Sequence, residues 1–258
     1  MPRFSANISM LFTEHDWLDR PKAAADAGFG AIEIQFPYEH SVEAWAKAIG
    51  DAGMAVAVLN LPVGDMLSGG PGLAAVPGRE DAFAEAIIQA KAYAAVLRPR
   101  NVNVLAGMPP ADLPRMECLD TLADNLRAAA EAFEPLGVGV VTEAVNTRDR
   151  PGYFLSRTEE AVAAVRLAGH GNLGIQHDLY HMQIMEGDLV ETLSDHRAVI
   201  SHIQFADAPG RHEPGTGDIP FPIIFEAIDA IGFGGWVGAE YEPTARTEES
   251  LDWLRPWL

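Results

Sequence analysis

Short β-branched or apolar runs alternate with amphipathic helical stretches from one end of this 258-residue chain to the other. The runs cover residues 4–9, 31–34, 54–60, 101–105, 138–143, 173–178, 199–205 and 236–240, each followed by a polar or glycine-bearing loop. The clearest helical stretches cover residues 81–97, 119–136 and 158–167. Alternation of this kind predicts a parallel sheet covered by helices. Eight such units in a chain close to the roughly 250 residues of a closed barrel predict the α/β class, a (β/α)8 TIM barrel. No low-complexity segment or linker divides the chain, so the expectation is one domain over 1–258. An open dinucleotide-binding sheet would need a glycine-rich turn after its first strand, and Ser9-Met10-Leu11-Phe12 stands there instead.

In such a barrel the chemistry lies at the C-terminal strand ends. The fifth run ends in Glu143, the sixth in Asp178 and the eighth in Glu240, and the seventh carries Gln204 beside its end. Period-two alternation puts Glu143 on a face with Val141 and Gly139, Asp178 with Gln176 and Gly174, Gln204 with His202, and Glu240 with Gly238 and Trp236. A single strand-end acid reads as a helix cap or loop anchor. Three converging carboxylates repel unless a cation joins them, and oxygen-only donors suit a hard ion. The expected cofactor is therefore one divalent metal ion, Mg²⁺ or Mn²⁺, held by Glu143, Asp178, Gln204 and Glu240.

Three further polar residues are expected around this mouth as substrate-binding groups. His181 follows Asp178 by three residues, and Arg211 and His212 lie in the polar, glycine-rich loop 207–217. An arginine fork suits a substrate carboxylate, with a solvated loop charge as the competing reading. Other residues read as structural. Gly69-Gly70-Pro71-Gly72 lacks the Gly-Lys-Ser/Thr of a phosphate cradle, Cys118 lacks metal-ligand spacing, and His170 and His196 fall on the stability face. Trp253 and Trp257 predict a closing helix that seals the first strand.

Composition narrows the function. With 18 basic against 37 acidic side chains, the formal charge of −19 argues against a nucleic-acid partner. Apolar residues at 48% and charged residues at 21% are ordinary for a globular protein, and no apolar stretch is long enough to span a membrane. Met1-Pro2-Arg3 lacks the shape of a signal peptide and Cys118 is the single cysteine, so a cytoplasmic location is expected. The three lysines, Lys22, Lys47 and Lys91, fall on outer helices, which disfavours Schiff-base chemistry. Self-association into a homo-oligomer stays open.

Five segments together resemble the hydroxypyruvate isomerase family of the xylose isomerase-like barrels. They are Arg3-Phe-Ser-Ala-Asn-Ile-Ser-Met-Leu-Phe12, Pro77-Gly-Arg-Glu80, Gln176-His-Asp-Leu-Tyr-His-Met-Gln183, Arg211-His-Glu-Pro-Gly-Thr-Gly217 and Gly235-Trp-Val-Gly-Ala-Glu-Tyr241. The resemblance runs nearly end to end. It implies that Glu143 and Glu240 are the acid/base pair and that Asp178 and Gln204 are metal positions. Related epimerases carry histidine where Gln204 stands, and glutamine fits this branch. Ala144 replaces the family's proline after the glutamate, a departure that bears on loop geometry and substrate. The implied reaction interconverts hydroxypyruvate and 2-hydroxy-3-oxopropanoate (tartronate semialdehyde) through an enediolate, on a small sugar-acid substrate. A 2-oxo-tetronate isomerase is the near alternative. A metal-dependent phosphodiesterase, disfavoured by the charge, and a non-catalytic sugar-acid binding protein are the distant ones.

Overall fold

Each of the eight runs becomes a strand, and the strands pair in parallel and in chain order into a closed barrel. The computed structural model describes residues 1–257. The strands are β1 (Arg3–Asn7), β2 (Ala31–Ile34), β3 (Ala55–Asn60), β4 (Asn101–Val104), β5 (Gly139–Glu143), β6 (Leu173–Asp178), β7 (Ile200–Phe205) and β8 (Trp236–Ala239). Closure joins β1 to β8, with Ser5 level with Gly238 on one side and with Ala31 on the other.

The outer ring is α1 (Arg20–Asp26), α2 (Val42–Ala52), α3 (Glu80–Leu97), α4 (Arg115–Phe133), α5 (Thr158–Ala168), α6 (Leu179–Met185), α7 (Leu189–Asp195) and α8 (Phe221–Ala230). Local chemistry sets their ends. The Ser41 side chain accepts the Ala44 N–H at the start of α2, and Gly53 ends that helix at φ 66°, a left-handed conformation that costs glycine little. The helix expected at 119–136 starts a turn earlier, directly after Pro114. Its end tightens into a 3-10 turn at Glu134–Leu136, around Pro135, which has no N–H to continue the α-helical ladder. Among the described residues no helix is long and apolar enough to cross a membrane.

One expectation is corrected. Among the described residues no closing α-helix carries Trp253 and Trp257; the segment forms 3-10 turns at Thr247–Ser250 and Arg255–Trp257. Pro256 biases the residue before it away from the α region and cannot donate an N–H, so a longer helix does not form. The two indoles still seal the first strand. Both meet Phe4 edge-on, with ring centroids 5.2 and 6.2 Å away.

The barrel interior is polar along much of its axis. Asn101, Asn103, Ser5, Glu33, Gln176 and His202 are all buried there, below the strand-end acids. Glycines create the room. A Cβ at Gly238 would overlap the Glu33 carboxylate, and one at Gly174 would overlap Ser201. The small residues read beneath the acids therefore make space for polar groups from neighbouring strands. Gly238→Ala should accordingly destabilise the protein by about 1–3 kcal/mol, the usual cost of overpacking. Thermal unfolding would show a Tm several degrees lower; an unchanged Tm would mean that Glu33 does not fill that space.

Candidate active site

Glu143, Asp178, Gln204 and Glu240 all arrive, buried, at the C-terminal mouth of the barrel. Glu143 and Asp178 terminate β5 and β6, and Glu240 follows the last residue of β8. Asp178 is level with Gln204, and Gln204 with Gly238.

Asp178 divides its work between two oxygens. No loop separates β6 from α6, so Oδ1 caps the helix by accepting the Tyr180 N–H at 2.8 Å. The buried Oδ2 has no hydrogen-bond partner. Glu143 Oε2 accepts from Asn103 Nδ2 at 2.9 Å and Gln176 Nε2 at 2.8 Å. Its other oxygen, Oε1, faces His181 Nε2 at 4.0 Å, and Asp178 Oδ2 faces the same nitrogen at 3.6 Å. Glu240 Oε1 accepts from Asn7 Nδ2 at 2.8 Å and Gln35 Nε2 at 2.9 Å, and its Oε2 accepts from Arg211 Nη2 at 2.7 Å. Gln176 Nε2 also donates to Gln204 Oε1 at 2.6 Å, drawing the oxygens of Glu143 and Gln204 toward each other.

These groups fit a bound cation. Burial, together with repulsion from Glu240 and Asp178, raises the proton affinity of Glu143 well above the usual carboxylate range. Burial raises that of Asp178 and Glu240 as well, although Arg211 opposes the shift at both. One guanidinium thus faces three buried carboxylates, and the buried Asp178 Oδ2 has no hydrogen-bond partner. An oxygen-rich, anionic pocket of this kind suits a hard divalent ion.

Glu143, Asp178 and His181 come close enough to share one ion. The hydrogen bonds nevertheless place His181 outside the ligand set. Asn146 Oδ1 accepts the N–H groups of Arg148 and Asp149, so Asn146 presents its Nδ2 to His181 Nδ1 at 2.7 Å. That ring nitrogen must accept, which puts the proton on Nε2, toward the carboxylates. Burial and the Arg211 charge push the imidazole down to about 3, keeping it neutral. His181 is therefore a neutral donor aimed at whatever oxygen occupies the site.

The loop after β7 places Arg211 and His212 differently from the expectation that both grip substrate. Asp207 fastens the loop by accepting the N–H groups of Ala208, Gly215 and Ile219. Arg211, at φ 60°, turns inward over the Tyr180 ring and pairs with Glu240. Burial works against its charge, but Glu240, Asp178 and Glu143 hold the guanidinium more firmly protonated than usual. His212 lies apart from the cavity. Its ring reaches the Glu242 carbonyl at 2.7 Å and takes no part in the cavity wall, because its neighbour has turned into the mouth.

A cavity of about 110 Å³ opens above the acids, walled by Gln35, Met66, Met108, Arg150, His181 and Arg211 among others. Arg150 forms no carboxylate pair among the described residues. In the sequence it was not singled out, nor were Asn7, Gln35, Asn103, Asn146 and Glu33, because the strand-end groups of the fifth to eighth runs and the segments after the sixth and seventh were the ones followed. Glu33 carried a signal: it is the lone acid inside the apolar run Ala31-Ile-Glu-Ile34.

A cavity above clustered strand-end carboxylates on a closed β/α barrel defines a class, and comparison with known proteins agrees with it. The family model of the xylose isomerase-like TIM barrels matches residues 21–257. A 2-oxo-tetronate isomerase of Cupriavidus necator is 45% identical over 258 residues, covering 100% of this chain and 99% of the relative. The hydroxypyruvate isomerase of Escherichia coli is 40% identical over 257 residues, covering 100% of both. A crystal structure from Brucella melitensis, described as an AP endonuclease of family 2, superposes with a TM-score of 0.97 at 39% identity, covering 100% of this chain and 99% of that one. The chain belongs to the xylose isomerase-like TIM barrel family, in its hydroxypyruvate isomerase branch. It is an isomerase.

The electrostatics have a consequence for stability. A carboxyl whose proton affinity is raised by folding stabilises the fold at low pH, and that contribution is lost as pH rises through its folded pKa. After exhaustive chelation, Glu143→Gln should therefore have a Tm several degrees above the parent protein at pH 8. The gap should close toward pH 4, where the parent carboxyl is protonated. A glutamine variant less stable than the parent at pH 8 would show that Glu143 carries no such penalty.

Proposed function

We propose that this isomerase interconverts hydroxypyruvate and 2-hydroxy-3-oxopropanoate with the help of one Mg²⁺ or Mn²⁺ ion. The observation that carries this reading is the pair of buried glutamates, Glu143 and Glu240, facing one small cavity from β5 and from the end of β8. Glu143, Asp178, Glu240 and the oxygen of Gln204 are the proposed ligands. When bound there, a divalent ion supplies Lewis-acid stabilisation for the negative charge that develops on the substrate.

The chain's own groups move the protons. Glu143 has neutral amides as its donors, whereas Glu240 faces Arg211, so Glu143 is the stronger base of the pair. In the hydroxypyruvate direction Glu143 takes a proton from C3, leaving an enediolate across C2 and C3. Glu240 delivers a proton to C2, and the hydroxyl proton passes from O3 to O2. The roles reverse in the back reaction. The His181 Nε2–H holds a substrate oxygen during the exchange. Arg150, unpaired at the cavity wall, meets the substrate carboxylate, while Arg211 keeps Glu240 in place.

Two other substrates deserve comparison. The 45% identity to a 2-oxo-tetronate isomerase favours a four-carbon acid as the second reading. An endonuclease reading follows only from the description of the Brucella structure, and the net charge of −19 disfavours a DNA partner. Turnover of hydroxypyruvate and 2-oxo-tetronates, followed by NMR with and without metal, tests the proposal. Chelation should abolish turnover, and Mg²⁺ or Mn²⁺ should restore it; full activity in a verified metal-free sample would refute the metal role.

The two arginines should separate kinetically. Arg150→Ala loses one charge-assisted contact, worth about 1.5–3 kcal/mol, and should raise KM ten-fold or more with kcat nearly kept. Arg211→Ala leaves Glu240 without its partner and should lower kcat by roughly ten-fold or more. If Arg211→Ala changes KM alone, Arg211 is the carboxylate's partner after all. For Glu143→Gln and Glu240→Gln, kcat should fall by about 10²–10⁴ with metal still bound. Wild-type kcat in both variants would rule out the proton-transfer pair.

A further inference from the structure

Glu33 lies in β2, one layer beneath the mouth, and its side chain is fully buried. It is not among the residues that wall the cavity. Four donors surround its carboxylate. Ser5 Oγ lies 2.7 Å and His202 Nε2 2.9 Å from Oε1, while Gln204 Nε2 lies 2.7 Å and Asn7 Nδ2 3.4 Å from Oε2. Gly238 leaves open the space that the carboxylate fills. His202 Nδ1 has no partner, which agrees with a ring whose proton sits on Nε2 and is given to Glu33.

A carboxylate accepts hydrogen bonds and donates none, so each group facing it must present N–H or O–H. For an amide that requirement fixes both ends. With its nitrogen held by Glu33, Gln204 turns its oxygen the other way, to the side where Gln176 Nε2 also holds Glu143. Gln204 is level with Asp178 there, in the neighbouring strand. Asn7 is oriented in the same manner: its Nδ2 spans Glu33 and Glu240, and its Oδ1 accepts the Ser9 N–H. A neutral glutamine at position 33 would carry its own NH₂ and would no longer demand the Gln204 nitrogen, leaving the Gln176 N–H alone to hold that amide's orientation.

We propose that Glu33 is a positioning residue that locks the Gln204 amide with its oxygen toward the divalent ion. The inference rests on the reading of Gln204 as a metal ligand, and the two can fail separately. The measurement is Mn²⁺ affinity by titration calorimetry on the full chain, with Tm recorded for every variant. Gln204→Leu should weaken Mn²⁺ binding and so tests the ligand reading by itself. Glu33→Gln should weaken it about 10- to 100-fold, the usual effect of losing a partner behind a ligand. The double variant should bind no worse than Gln204→Leu alone, since both changes remove one ligand. At saturating Mn²⁺, kcat of Glu33→Gln should recover to within a few-fold of the parent, which a general loosening of the barrel would not allow.

Weak binding in Gln204→Leu with unchanged affinity in Glu33→Gln overturns the proposal and leaves the ligand reading standing. Unchanged affinity in Gln204→Leu overturns both. Should Glu33→Gln fail to fold, the parent protein labelled with ¹⁵N-glutamine answers the question. The Gln204 NH₂ signal, identified by its loss in Gln204→Leu, should stay protected from solvent exchange when Mg²⁺ is added. Rapid exchange in the Mg²⁺-loaded protein would mean that Glu33 does not hold the amide, and the proposal fails.

Discussion

Four buried carboxylates, those of Glu33, Glu143, Asp178 and Glu240, share the upper axis of this barrel with one guanidinium, that of Arg211. Carboxylates so close together in a low-dielectric interior cannot all hold charge without donors or cations around them. Much of the surrounding structure answers that requirement. Asn7, Gln35, Asn103 and Gln176 spend their amide nitrogens on the acids, and Tyr180 spends its backbone N–H on Asp178. Glycines at 174 and 238 open the interior to the side chains of Ser201 and Glu33. Asp178 Oδ2 stays buried without a hydrogen-bond donor, on the side that faces His181 Nε2.

Carboxylates also shape the loops that carry this chemistry. Asp207 gathers three backbone N–H groups, which fixes the turn that swings Arg211 onto Glu240. Asp65 accepts from Arg79 and from the Gly72 N–H, and so ties down the glycine-rich segment after β3 that brings Met66 to the cavity wall. Glu186 receives the N–H and hydroxyl of Thr158 and caps α5 from a distant loop. The acidic excess of the chain is thus partly internal. Acids pair with backbone donors at the points where loops must hold a site still.

The family makes the chain an isomerase, and its two buried glutamates face one cavity. Arg211 and Arg150 differ in their partners: Arg211 is engaged by Glu240, whereas Arg150, at the cavity wall, has no carboxylate partner among the described residues. The cavity wall also has apolar members, among them Met66 and Met108.

The barrel and the strand-end residues Glu143, Asp178, Gln204 and Glu240 were legible in the sequence alone. Strand and helix periods are local, and the fold delivers strand ends to one face whatever the loops do. Helix ends and the C-terminal turns were less legible, since Pro135 and Pro256 tighten the backbone over single residues. Orientation was not legible at all. Neither the inward turn of Arg211 nor the outward one of His212 shows in their shared loop sequence. Nor does the contact of Glu33 with Gln204, 171 residues away. Such pairs exist only once β8 closes against β1 and sets every strand's stagger, because a hydrogen bond needs its atoms within about 3 Å. Sequence alone therefore determined which acids reach the mouth, and tertiary structure decided which of their oxygens meet a donor and which do not.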